Sequence, residues 1–298
     1  MRILLLGASG QVGWELARTL PGLGRLITSA RDASGDLTLD VGDPERLQAT
    51  LDSTAADVVV NATAYTAVDR AETEQQQALR LNRDVPAQIG AWAAQHGALV
   101  IHYSTDYVFD GGKRTPYQEA DPTAPLSVYG RSKLEGDQAL LASGCDHIIF
   151  RVSWVYGLRG SNFLLTMRRL MQQRDALNIV DDQFGAPTWC RTIAQTTTDV
   201  LKSLPRDVTG RRPLCGLYHL SPHGHTSWFG FASRIRDSLG LTCELVPIPS
   251  HEYPTPARRP MNSRMDPAKL ERTFGLCLPT WEDELARCLQ PLRDDATP

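Results

Sequence analysis

The sequence contains no run of 18 or more apolar residues, so no helical membrane span is expected. It has no excess of basic charge. Lys and Arg number 31 against 34 Asp and Glu, and a net charge of −3 offers no positive field for nucleic acid or an anionic membrane surface. Its six cysteines (Cys145, Cys190, Cys215, Cys243, Cys277 and Cys288) are scattered, without a CxxC or a Cys/His pair at zinc-finger spacing. That excludes a disulfide framework and reads as reduced thiols in a cytoplasmic protein. Seven histidines form no HExxH, and His102, inside an apolar run, reads as a packed core residue. Internal repeats, low-complexity tracts and charge blocks are absent, and "MRILLLGASG" is too short in apolar residues before its glycine for a signal-peptide core.

What is present is an alternation. Apolar runs at "RILLLG" (2–7), "RLITS" (25–29), "DVVVNA" (57–62), "ALVIHYS" (98–104) and "HIIFRVS" (147–153) read as buried strands. Between them lie "QVGWELARTL", "DPERLQATL", "AETEQQQALRLN" and "PAQIGAWAAQHG", with apolar residues at helical spacing and prolines at the openings of the second and fourth. Strand and helix in turn over 298 residues predict βαβ units and a doubly wound parallel sheet. The second half is less regular, with helices at 162–174, "TSWFGFASRIRDSLG" and "TWEDELARCL", short strands at "ALNIV" and "GLYHL", and a five-proline loop over 246–263.

"GASGQVG" sets Gly7, Gly10 and Gly13 between the first strand and the first helix. Gly7 permits the tight turn, Gly10 lets backbone approach a pyrophosphate, and Gly13 allows the helix to pack close to the sheet, while the helix N-terminus favours anionic charge. The sheet is therefore expected to be Rossmann-type, with a smaller, intertwined C-terminal unit. The second strand ends in Ser29-Ala30-Arg31-Asp32, a tip with a hydroxyl and a cation before any acid. That favours NADPH, with NADH as the alternative should Asp32 swing in. Asp40 is placed either to reach the adenine or to cap the following helix.

Ser104 and Thr105 close the strand "ALVIHYS", at the sheet edge where such folds do chemistry. Tyr129 and Lys133 follow, one helical turn apart in "SVYGRSKLEGD" and hence on one helix face. A hydride added to a ketone leaves an alkoxide. A phenol can protonate it, an ammonium can ease the phenol's ionisation, and a hydroxyl can hold the carbonyl oxygen.

With "GASGQVGWEL", "VVNATAYTAVDRAE", "HYSTDYVFDG", "PLSVYGRSKLEGD", "FRVSWVYG", "NFLLTM", "DQFGAPT" and "YPTPARRPMNSRM" in order, the chain resembles the extended short-chain dehydrogenases/reductases, and among them the dTDP-4-dehydrorhamnose reductases. The resemblance implies Thr105, Tyr129 and Lys133 as catalytic residues. It implies that Gly7, Gly10, Gln11, Val12, Gly13, Arg31, Asp40, Ala62, Thr63, Ala64, Tyr129 and Lys133 line a cofactor. It implies that Thr66, Val68, Ser104, Thr105, Tyr107, Trp154 and the 253–263 loop line a dTDP-linked 4-keto-6-deoxy sugar. Arg258 and Arg259 suit its diphosphate, or else form surface ion pairs, and Trp154 stacks on the sugar or fills core. The expected division is a dinucleotide-binding domain of 1–153 and about 177–220, and a substrate-binding domain of about 154–176 and 221–298. Some relatives dimerise through a cation. Glu15 could supply one ligand, but Trp189-Cys190-Arg191 and Gln290-Pro291-Leu292 offer no carboxylate, so no metal is expected and the assembly is a monomer or homodimer. A non-catalytic NADP-binding subunit, resembling that of methionine adenosyltransferase, is the competing class, and the intact Thr105/Tyr129/Lys133 set argues for the enzyme.

Overall fold

The computed structural model of the protein describes residues 1–294. Ile3, Leu4, Leu5 and Leu6 are all 0 % exposed, as a strand covered on both faces requires. This strand, β1 (Arg2–Leu6), is flanked in parallel by β2 (Arg25–Ala30) and β4 (Val58–Asn61). β3 (Leu37–Thr38) extends the sheet past β2. Beyond β4 come β5 (Leu99–Thr105), β6 (Asp146–Val152) and the strand Gly216–His219, every pairing parallel. The order reverses direction at β1 and β4, which makes the crevice outside their carboxyl ends the place for a ligand.

Each face of the sheet carries its own core. On one side α1 (Gln11–Thr19) and the helix Cys190–Ser203 bring Leu16, Ile193 and Ala194 onto Ile3 and Leu5. On the other, α2 (Pro44–Thr54) and the helices Val85–His96 and Val128–Ala142 bring Leu47, Ile89, Trp92 and Leu140 onto Leu4 and Leu6. α2 starts where Asp43 accepts the amides of Glu45 and Arg46, so the cap is Asp43 and not Asp40. A third core, around Leu164, Phe231 and Leu285, joins the helices Phe163–Met171, Trp228–Ser238 and Trp281–Asp294. Among the described residues no helix is long and apolar enough to cross a membrane.

Three sequence expectations shift. "AETEQQQALRLN" and the helix after it are not separate: the helix Gln75–Leu79 runs through a π-type turn, Arg80–Asp84, straight into Val85–His96. The turn is held by Asn82, fully buried, whose side chain bonds the Tyr65 amide and carbonyl and the Ser132 hydroxyl. The proline-rich segment begins as a strand, Glu244–Ile248, which accommodates Pro247 because only one neighbour pairs with it. That neighbour is Ala176–Val180, whose Leu177 and Ile179 lie in the third core. We therefore propose that the chain returns to the sheet unit at Cys190, later than the expected 177.

The helix Val128–Ala142 presses hard on this π-turn. A Cβ at Gly136 would lie 2.0 Å from the Asn82 carbonyl oxygen. Gly136→Ala is expected to cost about 1–3 kcal/mol, the usual range for overpacking, in urea unfolding at neutral pH.

Candidate active site

A cleft of about 1280 Å³ opens outside the carboxyl ends of β1, β4, β5 and β6 and runs to the third core. At one end is the glycine turn. Gly7 has φ +85°, and a Cβ on Gly13 would stand 2.0 Å from the Gly7 carbonyl oxygen. α1 opens at Gly10 with no side-chain cap and no acidic residue in its first turn, which leaves its amides for an anionic ligand. Gln11 and Val12 line the cleft beside them, as do Ala62, Thr63 and Ala64 after β4.

The tip of β2 differs from its reading in sequence. Ser29 is 1 % exposed and turned into the protein, so it presents no hydroxyl at the tip. Asp32 and Asp36 are held locally, the first by the amide and hydroxyl of Ser34, the second by those of Thr28, and these bonds pull both carboxyls below the usual range. Arg31 is exposed at this tip, and Asp40, also exposed, folds onto the Gly42 amide at 2.9 Å. Neither lines the cleft.

At the centre, Thr105, Tyr129 and Lys133 all reach the cleft. The helix that carries the last two starts at Ser127, whose hydroxyl accepts the Gly130 amide, and at the Val128 amide, which donates to Glu72. It is no surface helix: Gly130, Ser132, Lys133, Gly136 and Asp137 are all buried. The Tyr129 phenol shares a hydrogen bond with Thr105 and is pushed up to about 12, chiefly by burial, with the Asp106 and Asp137 charges adding to it. The phenol is thus raised and not lowered as the sequence reading expected from Lys133; the one influence that lowers it is the hydrogen bond with Thr105. Lys133, 1 % exposed, is pushed down to about 8 by burial, against the pull of Asp137. Its Nζ donates to the Tyr103 carbonyl at 2.5 Å and lies 3.3 Å from His102 Nε2. Thr105 Oγ1 donates to Asp106 at 3.1 Å, and burial raises that carboxyl to about 6.

The far end is aromatic and cationic. Tyr107 stands edge-on to Tyr129 at 5.7 Å, and Thr66 and Val68 line the wall beside it. Trp154 has φ +46°, and its ring stacks on Trp228 at 3.5 Å and abuts Gly185, where an added Cβ would come within 2.6 Å of it. Backbone strain of this kind in a bulky residue persists where surrounding packing over-determines it. The two arginines part. Arg259 lines the cleft and forms a two-pronged pair with Asp69 at 3.2 and 3.0 Å, whereas Arg258 is exposed outside it. Ser104 donates to the buried Asp137 at 2.7 Å. Glu15 is buried, with Arg191 3.8 Å away.

Sequence reasoning read His102 only as packed core and passed over Asp137. Spacing carried a signal for both: His102 lies two residues from Ser104 on one strand, and Asp137 lies one further turn along the helix from Lys133. Arg174, Asn178 and Gln183, which line the far wall, had no local signature.

A parallel sheet with a glycine turn at its switch point and a Thr, Tyr, Lys set at the next strand end defines an extended short-chain dehydrogenase/reductase. The family model described as RmlD substrate binding domain matches residues 1–294, and the chain belongs to that family. It is 45% identical over 300 residues to the dTDP-4-dehydrorhamnose reductase of Burkholderia thailandensis, covering 98% of this chain and 99% of that one. Among solved structures, a dTDP-4-dehydrorhamnose reductase from Clostridium acetobutylicum superposes with a TM-score of 0.89 at 32% identity, covering 98% and 100%. The enzyme of the same name from Bacillus anthracis, in complex with NADP, also gives 0.89, at 30% identity over 97% and 99%.

Two histidines near the site stay neutral when folded. Burial holds His102 well below 6.5 and, with Arg151 adding, holds His219 at about 3. In the unfolded chain both take up protons below about 6.5, so their contribution to stability falls as pH drops through that value, by up to about 1.4 kcal/mol per pH unit per histidine, against the opposite contribution of Asp106 and Glu284, whose carboxyls burial raises. Urea unfolding of the parent and of His219→Gln between neutral and mildly acidic pH isolates one histidine's share: relative to the parent, the variant should gain stability as pH falls.

Proposed function

We propose that this chain reduces the C4 keto group of dTDP-4-dehydro-β-L-rhamnose to give dTDP-L-rhamnose, with NADPH as reductant. The observation that carries the reading is the meeting, in one cleft, of Thr105, Tyr129 and Lys133 between the glycine turn and the Trp154/Arg259 wall. The residues fit a dinucleotide: the uncapped, acid-free start of α1 leaves its amides for a pyrophosphate, and Gly13, where a Cβ would meet the Gly7 carbonyl, lets the helix close on the turn. Arg31 at the tip of β2, with Asp32 and Asp36 tied elsewhere, suits a 2′-phosphate and supports NADPH. A cytoplasmic setting is part of the proposal and accords with six free thiols.

When bound, the cofactor supplies a hydride to the carbonyl carbon. The Thr105 hydroxyl can turn its single proton from Asp106 to the carbonyl oxygen and steady charge as it develops there. The Tyr129 phenol gives that oxygen its proton, so hydride and proton together complete the alcohol. A phenol at about 12 is fully protonated at neutral pH, yet still gives its proton up readily to an alkoxide, which is a much stronger base than the phenolate. Lys133 sits one turn below, where an ammonium steadies the phenolate left behind and can hold the nicotinamide ribose. Arg259 is placed for the diphosphate and can share its guanidinium between the ligand and Asp69.

Consumption of NADPH with dTDP-4-dehydrorhamnose, compared with UDP- and GDP-linked keto sugars, tests the reading. Tyr129→Phe should fold, bind NADPH and lose roughly 10²–10⁴ in kcat. A single-turnover rate within about threefold of the parent would place the proton elsewhere.

The split of the two arginines gives a second expectation. Arg259→Ala should weaken calorimetric binding of dTDP by about 1.5–3 kcal/mol, the range for a charge-assisted hydrogen bond, while Arg258→Ala should bind as the parent does.

A further inference from the structure

Below Tyr129 and Lys133 lies a layer of buried polar groups that the chemistry above does not use: Asn61, His102, Ser104, Asp137 and Arg151. Its hydrogen-bond polarity can be followed inward from the backbone. The Thr63 amide and hydroxyl both donate to Asn61 Oδ1, at 3.1 and 2.6 Å. With its oxygen taken, Asn61 turns Nδ2 to His102 Nδ1 at 3.2 Å. An amide nitrogen only donates, so Nδ1 accepts. The ring is fully buried and neutral, and a neutral ring that accepts at Nδ1 carries its proton on Nε2. That N–H faces Lys133 Nζ at 3.3 Å. An ammonium there sets donor against donor, whereas an amine accepts the proton and still donates to the Tyr103 carbonyl. The histidine favours the neutral lysine.

Asp137 pulls the other way. It is fully buried, one turn beyond Lys133, with Oδ2 on the Ser104 hydroxyl and 3.5 Å from Arg151 Nε, while Oδ1 has no hydrogen-bond partner among the described residues. Its negative charge favours the ammonium.

We propose that His102 and Asp137 are positioning residues that set the proton of Lys133 from opposite sides, His102 by presenting an N–H to Nζ and Asp137 by presenting charge. The proposal rests on the role given above to Lys133. The other charged or titratable groups facing this layer are Tyr129 on the same helix, Asp106 from the turn after β5 and Arg151 from β6; Asn61 on β4 is neutral. Lys133, whose ammonium burial destabilises and Asp137 supports, is thereby able to hand a proton toward the phenol and recover it.

The chain has four lysines, Lys113, Lys133, Lys202 and Lys269, so NMR titration of lysines labelled at Cε and Nζ can follow Lys133 directly, assigned by its loss in Lys133→Met. Asp137→Asn should move its midpoint down. His102→Gln, whose amide can turn an oxygen to Nζ, should move it up, each by about half a unit or more. Asp137→Glu should return it toward the parent, and the pH profile of kcat/KM should move with each midpoint. Shifts of one sign in both variants, or no shift in either, would overturn the proposal. Should Asp137→Asn fail to fold with Arg151 left unpaired, the sign in His102→Gln decides alone. The titration needs no sugar nucleotide, so failure to turn over dTDP-4-dehydrorhamnose would sink the proposed function and leave this result readable.

Discussion

Burying Lys133 takes an amine out of water, and the chain around it has to replace the lost hydration. The replacement comes from β5, through the Tyr103 carbonyl and the His102 ring, and from the next turn of its own helix, through Asp137. For this the helix must sink deep against its neighbours. Glycine permits it at two points: a Cβ at Gly130 would meet the Tyr107 carbonyl oxygen at 2.2 Å, and one at Gly136 the Asn82 carbonyl oxygen at 2.0 Å. Tyr129 is then carried to the cleft as a consequence of where Lys133 is held, and Thr105 meets it because β5 ends at that level.

The parts of the site legible in the sequence are those fixed by local geometry. The Gly7–Gly13 turn, the strand end at Thr105 and the four-residue step from Tyr129 to Lys133 each follow from a period or a backbone requirement within a few residues. What stayed hidden depends on where distant segments meet. Alternation along β2 shows that Ser29 takes a face, but not that the face is covered. The pair Arg258 and Arg259 looks equivalent as text. Asp69, nearly two hundred residues away in the chain, binds one of them into the cleft. His102 was correctly read as buried, yet no pattern in β5 says that its ring meets a lysine on another element.

The substrate side of the cleft rests on a different device. Trp154 follows β6 directly, and its left-handed backbone turns the ring out of the sheet line onto Trp228 of the third core. Gly185 also abuts the ring, from a strand next to the 253–263 segment through the Phe184–Asn262 bridge. Three stretches far apart in the chain are thus brought into register by one side chain, which gives the cleft wall its shape without relying on loop stiffness.

The π-type turn at Arg80–Asp84 has a consequence for descent. Such a turn amounts to one residue inserted into an α-helix. Deleting that residue would restore a regular helix but rotate everything beyond it by about 100°. Ile89, Trp92 and Ala93 would leave the sheet, and Asn82 would lose Tyr65 and Ser132 together. The insertion and Gly136, which makes room for the displaced carbonyl, therefore depend on each other. Lineages that inherit one should inherit both.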